Sequence, residues 1–149
     1  MRLRLLPLVL LLAAGCAAVS GAPSEQRRAE AAWADLLALA AAPEASPSQF
    51  APLVVALGDD RARRYRTSAD ASVPSEAESL AGVARELRGL LARVSADGRF
   101  GYRTVAFRTE TESEGTWRAL TVRFDDPPGT RVTAAFLPVD GRLLLGDID

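Results

Sequence analysis

Histidine, lysine and asparagine are absent from the 149 residues, and cysteine occurs once, at position 16. Each gap narrows the chemistry. Without histidine the chain lacks the commonest general base, the commonest metal ligand and every Ser-His-Asp arrangement. With one thiol it closes no internal disulfide. All eighteen basic residues are arginine, isoleucine appears only at position 148 and alanine is abundant, a bias that fits a GC-rich genome rather than a binding code. The formal charge of −1 becomes −3 once Arg2 and Arg4 are set aside. No net positive field then draws in nucleic acid, and no nucleic-acid partner is expected. Phosphate-cradling glycine-rich loops, dinucleotide fingerprints and calcium-loop patterns are also missing. The expectation is no cofactor, no metal and no assignable catalytic residue.

What is present begins at the N-terminus. Arg2 and Arg4 precede Leu5-Leu6-Pro7-Leu8-Val9-Leu10-Leu11-Leu12-Ala13-Ala14, a charged region followed by an apolar run of signal-peptide length. The run falls short of the roughly 20 residues that span a bilayer as a helix, and small residues rather than charges follow it. Ala13-Ala14-Gly15-Cys16 resembles the lipobox of bacterial lipoproteins, in which small residues let the lipoprotein signal peptidase approach the backbone. That resemblance implies a signal peptide over residues 1–15 and a diacylglycerol group on the Cys16 thiol. Ala13 stands where the family usually has leucine, with Leu12 immediately upstream. Ordinary secretory cleavage, for instance after Ala18, and an uncleaved anchor are the alternatives.

A lipid chain contributes about 0.8 kcal/mol per buried methylene, and stable anchoring takes two membrane signals. Bacterial lipoproteins carry several acyl chains on one cysteine, so the resemblance implies firm attachment to membrane lipid. Ala17, not aspartate, follows the cysteine, which in Gram-negative lipoproteins favours release to the outer membrane, facing the periplasm. Residues 16–25 are small and polar, a composition that buries too little surface to order itself, and are expected to form a flexible tether. Residues 26–149 are of a size that normally builds one domain around one hydrophobic core, and no internal repeat divides them.

Three helical segments are expected after the tether. The first runs from Ser24, a capping residue, to Ala42, with Ala29, Trp33, Leu36, Leu37 and Ala40 on one face and Pro43 ending it. For the second, Ser46-Pro47-Ser48-Gln49 carries a capping-box pattern, but Pro52 lies too deep for an α-helix that starts there. A start near Pro52, with Leu53, Val54 and Leu57 inward, is the expectation. The third opens on the capping box Ser75-Glu76-Ala77-Glu78 and holds Leu80, Val83, Ala84, Leu87, Leu90, Leu91 and Val94 at helical spacing, with Asp97-Gly98 as its stop.

Beyond Gly98 the period becomes two. Strands are expected over Phe100 to Arg108, Thr116 to Asp125, Arg131 to Val139 and Arg142 to Asp147, joined by turns at Glu114-Gly115, Asp126-Pro127-Pro128-Gly129 and Asp140-Gly141. The result is an α+β class, with N-terminal helices packed on a C-terminal four-stranded antiparallel sheet and the third helix lying across its apolar face. A tryptophan-bearing first helix, short intervening helices and a terminal meander with Trp117-Arg118-Ala119-Leu120-Thr121-Val122 and Gly141-Arg142-Leu143-Leu144-Leu145-Gly146-Asp147 resemble the nuclear transport factor two-like, cystatin-like cone folds. The same cone hosts isomerases, dehydratases, binding modules and assembly domains, so the resemblance implies a fold and no activity.

Candidate site residues are few. Asp59-Asp60-Arg61-Ala62-Arg63-Arg64-Tyr65-Arg66 places Arg63, Arg64 and Arg66 beside Tyr65, a set able to clamp a carboxylate or phosphate bidentately next to an aromatic face. The same run is also what a solvated helix end looks like. Asp125, Asp126, Asp147 and Asp149 are available for acid–base work or a cation, but sit where turns and chain ends favour aspartate for local hydrogen bonding. Trp33, Tyr102, Trp117, Phe124 and Phe136 either line an apolar ligand cavity or pack the core. Two functional classes follow. The first is a non-catalytic envelope lipoprotein binding an envelope protein or small apolar ligand. The second is a small cone-fold enzyme, isomerase-like or hydrolase-like, using Asp, Tyr and Arg. A buried carboxylate near a tyrosine in an open, dry pocket would mark the enzyme.

Overall fold

The fold starts at a cap. In the computed structural model, which describes residues 23–55, 75–95, 98–112 and 115–149, the Ser24 hydroxyl accepts a hydrogen bond from the Arg27 N–H at 3.3 Å. This satisfies one of the amides that the first helical turn leaves without a partner. Helix α1 then runs Glu25–Ala41 and buries Ala29, Trp33, Leu36, Leu37 and Ala40. Ala42 turns extended, as the residue before Pro43 must.

The second helical segment corrects the expectation of a start near Pro52. It is a 3-10 helix over Pro47–Leu53, and the capping pattern at Ser46 marks its true beginning. The Ser46 N–H donates to Gln49 Oε1 at 2.7 Å, and the Gln49 N–H returns to the Ser46 carbonyl at 3.1 Å. Pro52 would break an α-helix at this depth. A short 3-10 element places the proline in its last turn and loses only one backbone bond to it. Phe50 is fully buried, and Val54 leaves the helix extended to form a parallel bridge with Leu145, where the Val55 N–H donates to the Leu145 carbonyl at 2.8 Å.

Helix α2 spans Glu76–Val94 and has its capping box in both halves: the Glu78 N–H donates to Ser75 Oγ, and the Ser75 N–H donates to Glu78 Oε2 at 2.7 Å. Ala84, Leu87, Leu90, Leu91 and Val94 are buried. Arg88 ties the helix to the link between α1 and the 3-10 helix through the Ala45 carbonyl at 2.5 Å.

Strands β1 (Tyr102–Glu112), β2 (Gly115–Phe124), β3 (Arg131–Val139) and β4 (Arg142–Ile148) form an antiparallel meander in the order β1-β2-β3-β4. The described residues therefore have the expected α+β class. Asp140 and Gly141 both take positive φ, 47° and 76°, as the tight two-residue hairpin turn between β3 and β4 demands. Strand β1 starts later and runs further than expected, and it is bulged. Tyr102 faces Phe124 and Thr104 faces Val122, but the register shifts before Ala106 so that Phe107 faces Leu120. The extra residue, Val105, is 42% exposed, the large apolar side chain left outside among the described residues. A second shift, at Ala135/Phe136, brings Leu145 opposite Phe136 and leaves Gly146 as the extra residue of β4.

One face of the sheet is apolar. Leu120, Val122, Phe124, Val132, Ala134, Phe136, Leu143 and Leu145 join Trp33, Leu36, Leu37, Phe50, Leu87 and Leu90 in one buried cluster. Each fully buried large side chain stabilises the fold by about 1.5–3 kcal/mol relative to exposure. The helix nearest the sheet is α1, not α2: it approaches β2 and β4, while α2 lies closest to α1 and the 3-10 helix. Periodicity shows that each helix has a buried face but does not rank their partners. Arg28 fastens α1 to the hairpin through the Gly141 carbonyl.

Candidate functional site

Polar chemistry gathers where α1 leans on β1 and β2. Glu25, in the first turn of α1, takes a bidentate pair from Arg118 of β2, with Nε–Oε2 at 2.8 Å and Nη2–Oε1 at 2.9 Å. Arg118 falls on the inward side of β2, in phase with Leu120 and Val122, and only 14% of its side chain is exposed. A forked carboxylate answers that half-buried charge. The hydrogen bond from Arg118 holds the Glu25 carboxyl below the usual range, and the same bond raises the guanidinium further.

Farther along α1, Glu30 accepts from the Gln26 amide at 3.0 Å. That bond first, and the Thr104 hydroxyl of β1 second, keep its carboxyl below the ordinary carboxylate value. Tyr102 lies beside it. Its ring stacks on Phe100 with centroids 6.5 Å apart and tilts against Phe124 at 5.7 Å. Burial, and then the negative charge of Glu30, push the Tyr102 phenol above its ordinary value. At neutral pH Glu30 is an ionised acceptor and Tyr102 a neutral donor.

No charged or polar residue is buried among the described residues, and helices and sheet share one buried apolar cluster. Trp33, Phe124 and Phe136 are fully buried, so these candidates for a cavity lining are core. The Trp33 indole N–H is buried in that core without a hydrogen-bond partner. Trp117 lies on the opposite side of β2, in phase with Ala119 and Thr121. Outside the core, the described residues include an open groove of about 710 Å³ between α1 and the 3-10 helix, lined by Ala38, Leu39, Ala42 and Pro52, and a hollow of about 240 Å³ where Arg88 and Leu91 of α2 meet Ala40 and Phe100.

The four aspartates named from the sequence do not converge. Asp125 and Asp126 are in the β2–β3 turn, Asp147 is exposed on β4, and Asp149 pairs through its backbone with Thr133. Among the described residues no three His, Cys, Asp or Glu side chains are grouped to hold a metal. Cys16 and the Arg63, Arg64, Tyr65, Arg66 cluster lie outside the described residues. Sequence reasoning named Tyr102 but missed Glu30, Thr104, Glu25 and Arg118. Their meeting depends on strand register and on which helix touches the sheet, and no local motif encodes either.

Fold and site together define an α+β domain with one helical layer on one face of a four-stranded meander. Compared with protein-family models, curated proteins and solved structures, the chain matches none.

Proposed function

We propose that this chain is a lipid-anchored lipoprotein of the bacterial cell envelope, held at the periplasmic side of the outer membrane by acylated Cys16, whose α+β domain binds a partner protein or a small apolar ligand without catalysis. The observation that carries the reading is the run from Arg2 through Leu12 into Ala13-Ala14-Gly15-Cys16, which ends on the chain's one cysteine. One further fact supports it. The cap of the first described helix, Ser24, comes only eight residues after Cys16, which leaves a short link between anchor and domain. No helix among the described residues is long and apolar enough to cross a membrane.

A binding role draws support from the packing of helices and sheet into one buried apolar cluster, with no charged or polar residue buried among the described residues. The cone-fold kinship is part of the proposal and rests on the helix-then-meander order. Fractionation of the native host tests the anchor. The parent chain is expected in the membrane fraction and Cys16→Ser outside it, or retained only as an uncleaved precursor. Equal membrane partition of two fully processed chains would remove the lipid from the account.

A further inference from the structure

We propose that the outward face of the sheet docks the domain onto a surface of anionic phospholipid headgroups through a transverse row of three arginines, Arg103, Arg123 and Arg131. The row follows from register: Arg103 of β1 stands directly opposite Arg123 of β2, which stands directly opposite Arg131 of β3. Their strand neighbours Tyr102, Phe124 and Val132 belong to the inward packing, so alternation turns all three arginines outward. Adjacent strands are about 4.8 Å apart, so the row crosses about 10 Å of sheet. Arg103 and Arg131 are exposed, and Arg123 is half-buried between them.

Like charges directly opposite one another destabilise a strand pair, and here the opposition occurs twice in succession. Arg118 is answered by Glu25 and Arg108 by Glu110, whereas no member of the row makes an ion pair among the described residues. Two outward carboxylates flank the row, Asp125 two places beyond Arg123 on β2 and Asp149, paired through its backbone with Thr133 two places beyond Arg131 on β3, and neither forms an ion pair with it among the described residues. The Asp125 N–H donates to the Gly101 carbonyl one step beyond the row, and its carboxylate lies over the space above Gly101, where a Cβ would collide with it. A facing plane of phosphates relieves the repulsion that the fold leaves in place.

Shape and reach select the partner. A straight row on a strand face complements a plane of charge better than it encloses one small anion. The inference rests on the lipoprotein reading for the proximity of a bilayer. The eight residues from Cys16 to the Ser24 cap, extending at most about 3.3–3.6 Å per residue, keep the domain within roughly 29 Å of the membrane. That proximity makes weak headgroup contacts effectively intramolecular.

The test uses the full chain carrying Cys16→Ser, which has no acyl group, with co-sedimentation on vesicles of phosphatidylglycerol and phosphatidylcholine or of phosphatidylcholine alone. Binding is expected to prefer the anionic vesicles and to weaken with salt. Replacing the row with Arg103→Gln, Arg123→Gln and Arg131→Gln should weaken it about a hundredfold, since each basic residue near an anionic surface contributes about fivefold. Both chains share one N-terminus, so apolar insertion cancels between them. A thermal melt at or above the parent's verifies that the glutamine chain is folded. The corresponding triple lysine chain should retain most binding, because a charged plane reads charge rather than the guanidinium fork. Parent-like binding by the glutamine chain overturns the proposal. So does loss of binding by the lysine chain, which would mark a discrete phosphate site instead. Acylation is scored separately by the fractionation of the parent chain, so either claim can fail without the other.

Discussion

The two faces of the sheet are built from the same strands and answer to different physics. The inward side of β2 and β3 carries Leu120, Val122, Phe124, Val132, Ala134 and Phe136, all buried. The outward side carries Arg123, Thr121, Arg131 and Thr133, with the two threonine hydroxyls hydrogen-bonded across the pair at 3.0 Å. Because alternate side chains point to opposite faces, a one-residue slip would bury the arginines and expose the core, so the contrast itself fixes the register. The inward face holds the fold, and the outward face carries the row of arginines. Substitutions on the two sides should therefore move different observables.

The largest effect belongs to the core. Phe136→Ala removes a fully buried ring and should cost about 3–5 kcal/mol in urea unfolding, a large part of the roughly 5–15 kcal/mol that holds a domain together. A loss near zero would mean that the inward face does not carry the fold. A smaller effect should appear in acid. Glu25 and Glu30 have carboxyls held below their ordinary value in the folded chain, so the unfolded chain binds protons first as pH falls. Their stabilisation is complete above the ordinary carboxylate range and is lost as pH drops through the lower folded values. The melting temperature of the parent should fall below about pH 4.5 more steeply than that of a Glu30→Gln variant; parallel curves would detach Glu30 from the helix–sheet contact. The smallest effect, and of opposite sign, belongs to the outward face. Arg123→Thr relieves two like-charge oppositions and should stabilise the fold by about 0.2–1 kcal/mol in the same urea experiment. Destabilisation would show that Arg123 is held by favourable contacts and would weaken the case for an available row of charge.

Local chemistry was the most legible part of the chain. Ser24 and the Ser75–Glu78 box named two helix starts, Pro43 named an end, and Asp140-Gly141 named a hairpin, because each of these signals is written in neighbouring residues. The 3-10 helix was misplaced because Pro52 was weighed against α-helical bonding, while a shorter hydrogen-bonded turn accommodates it. The bulge at Val105 was invisible because it is defined only by the partner strand. Three-dimensional neighbours were the least legible. Glu30 and Tyr102 meet across more than seventy residues, and Arg103, Arg123 and Arg131 line up only once two registers are known. Arg63, Arg64, Tyr65 and Arg66 remain a sequence-based candidate.

Attachment through Cys16 is the central claim, and the intact mass of the chain purified from its native membranes measures it most directly. The account predicts a polypeptide beginning at Cys16 with diacylglycerol on its sulfur, its mass raised by the acyl groups. A chain that starts downstream of that residue, or one that retains it with a bare thiol, would contradict the anchor.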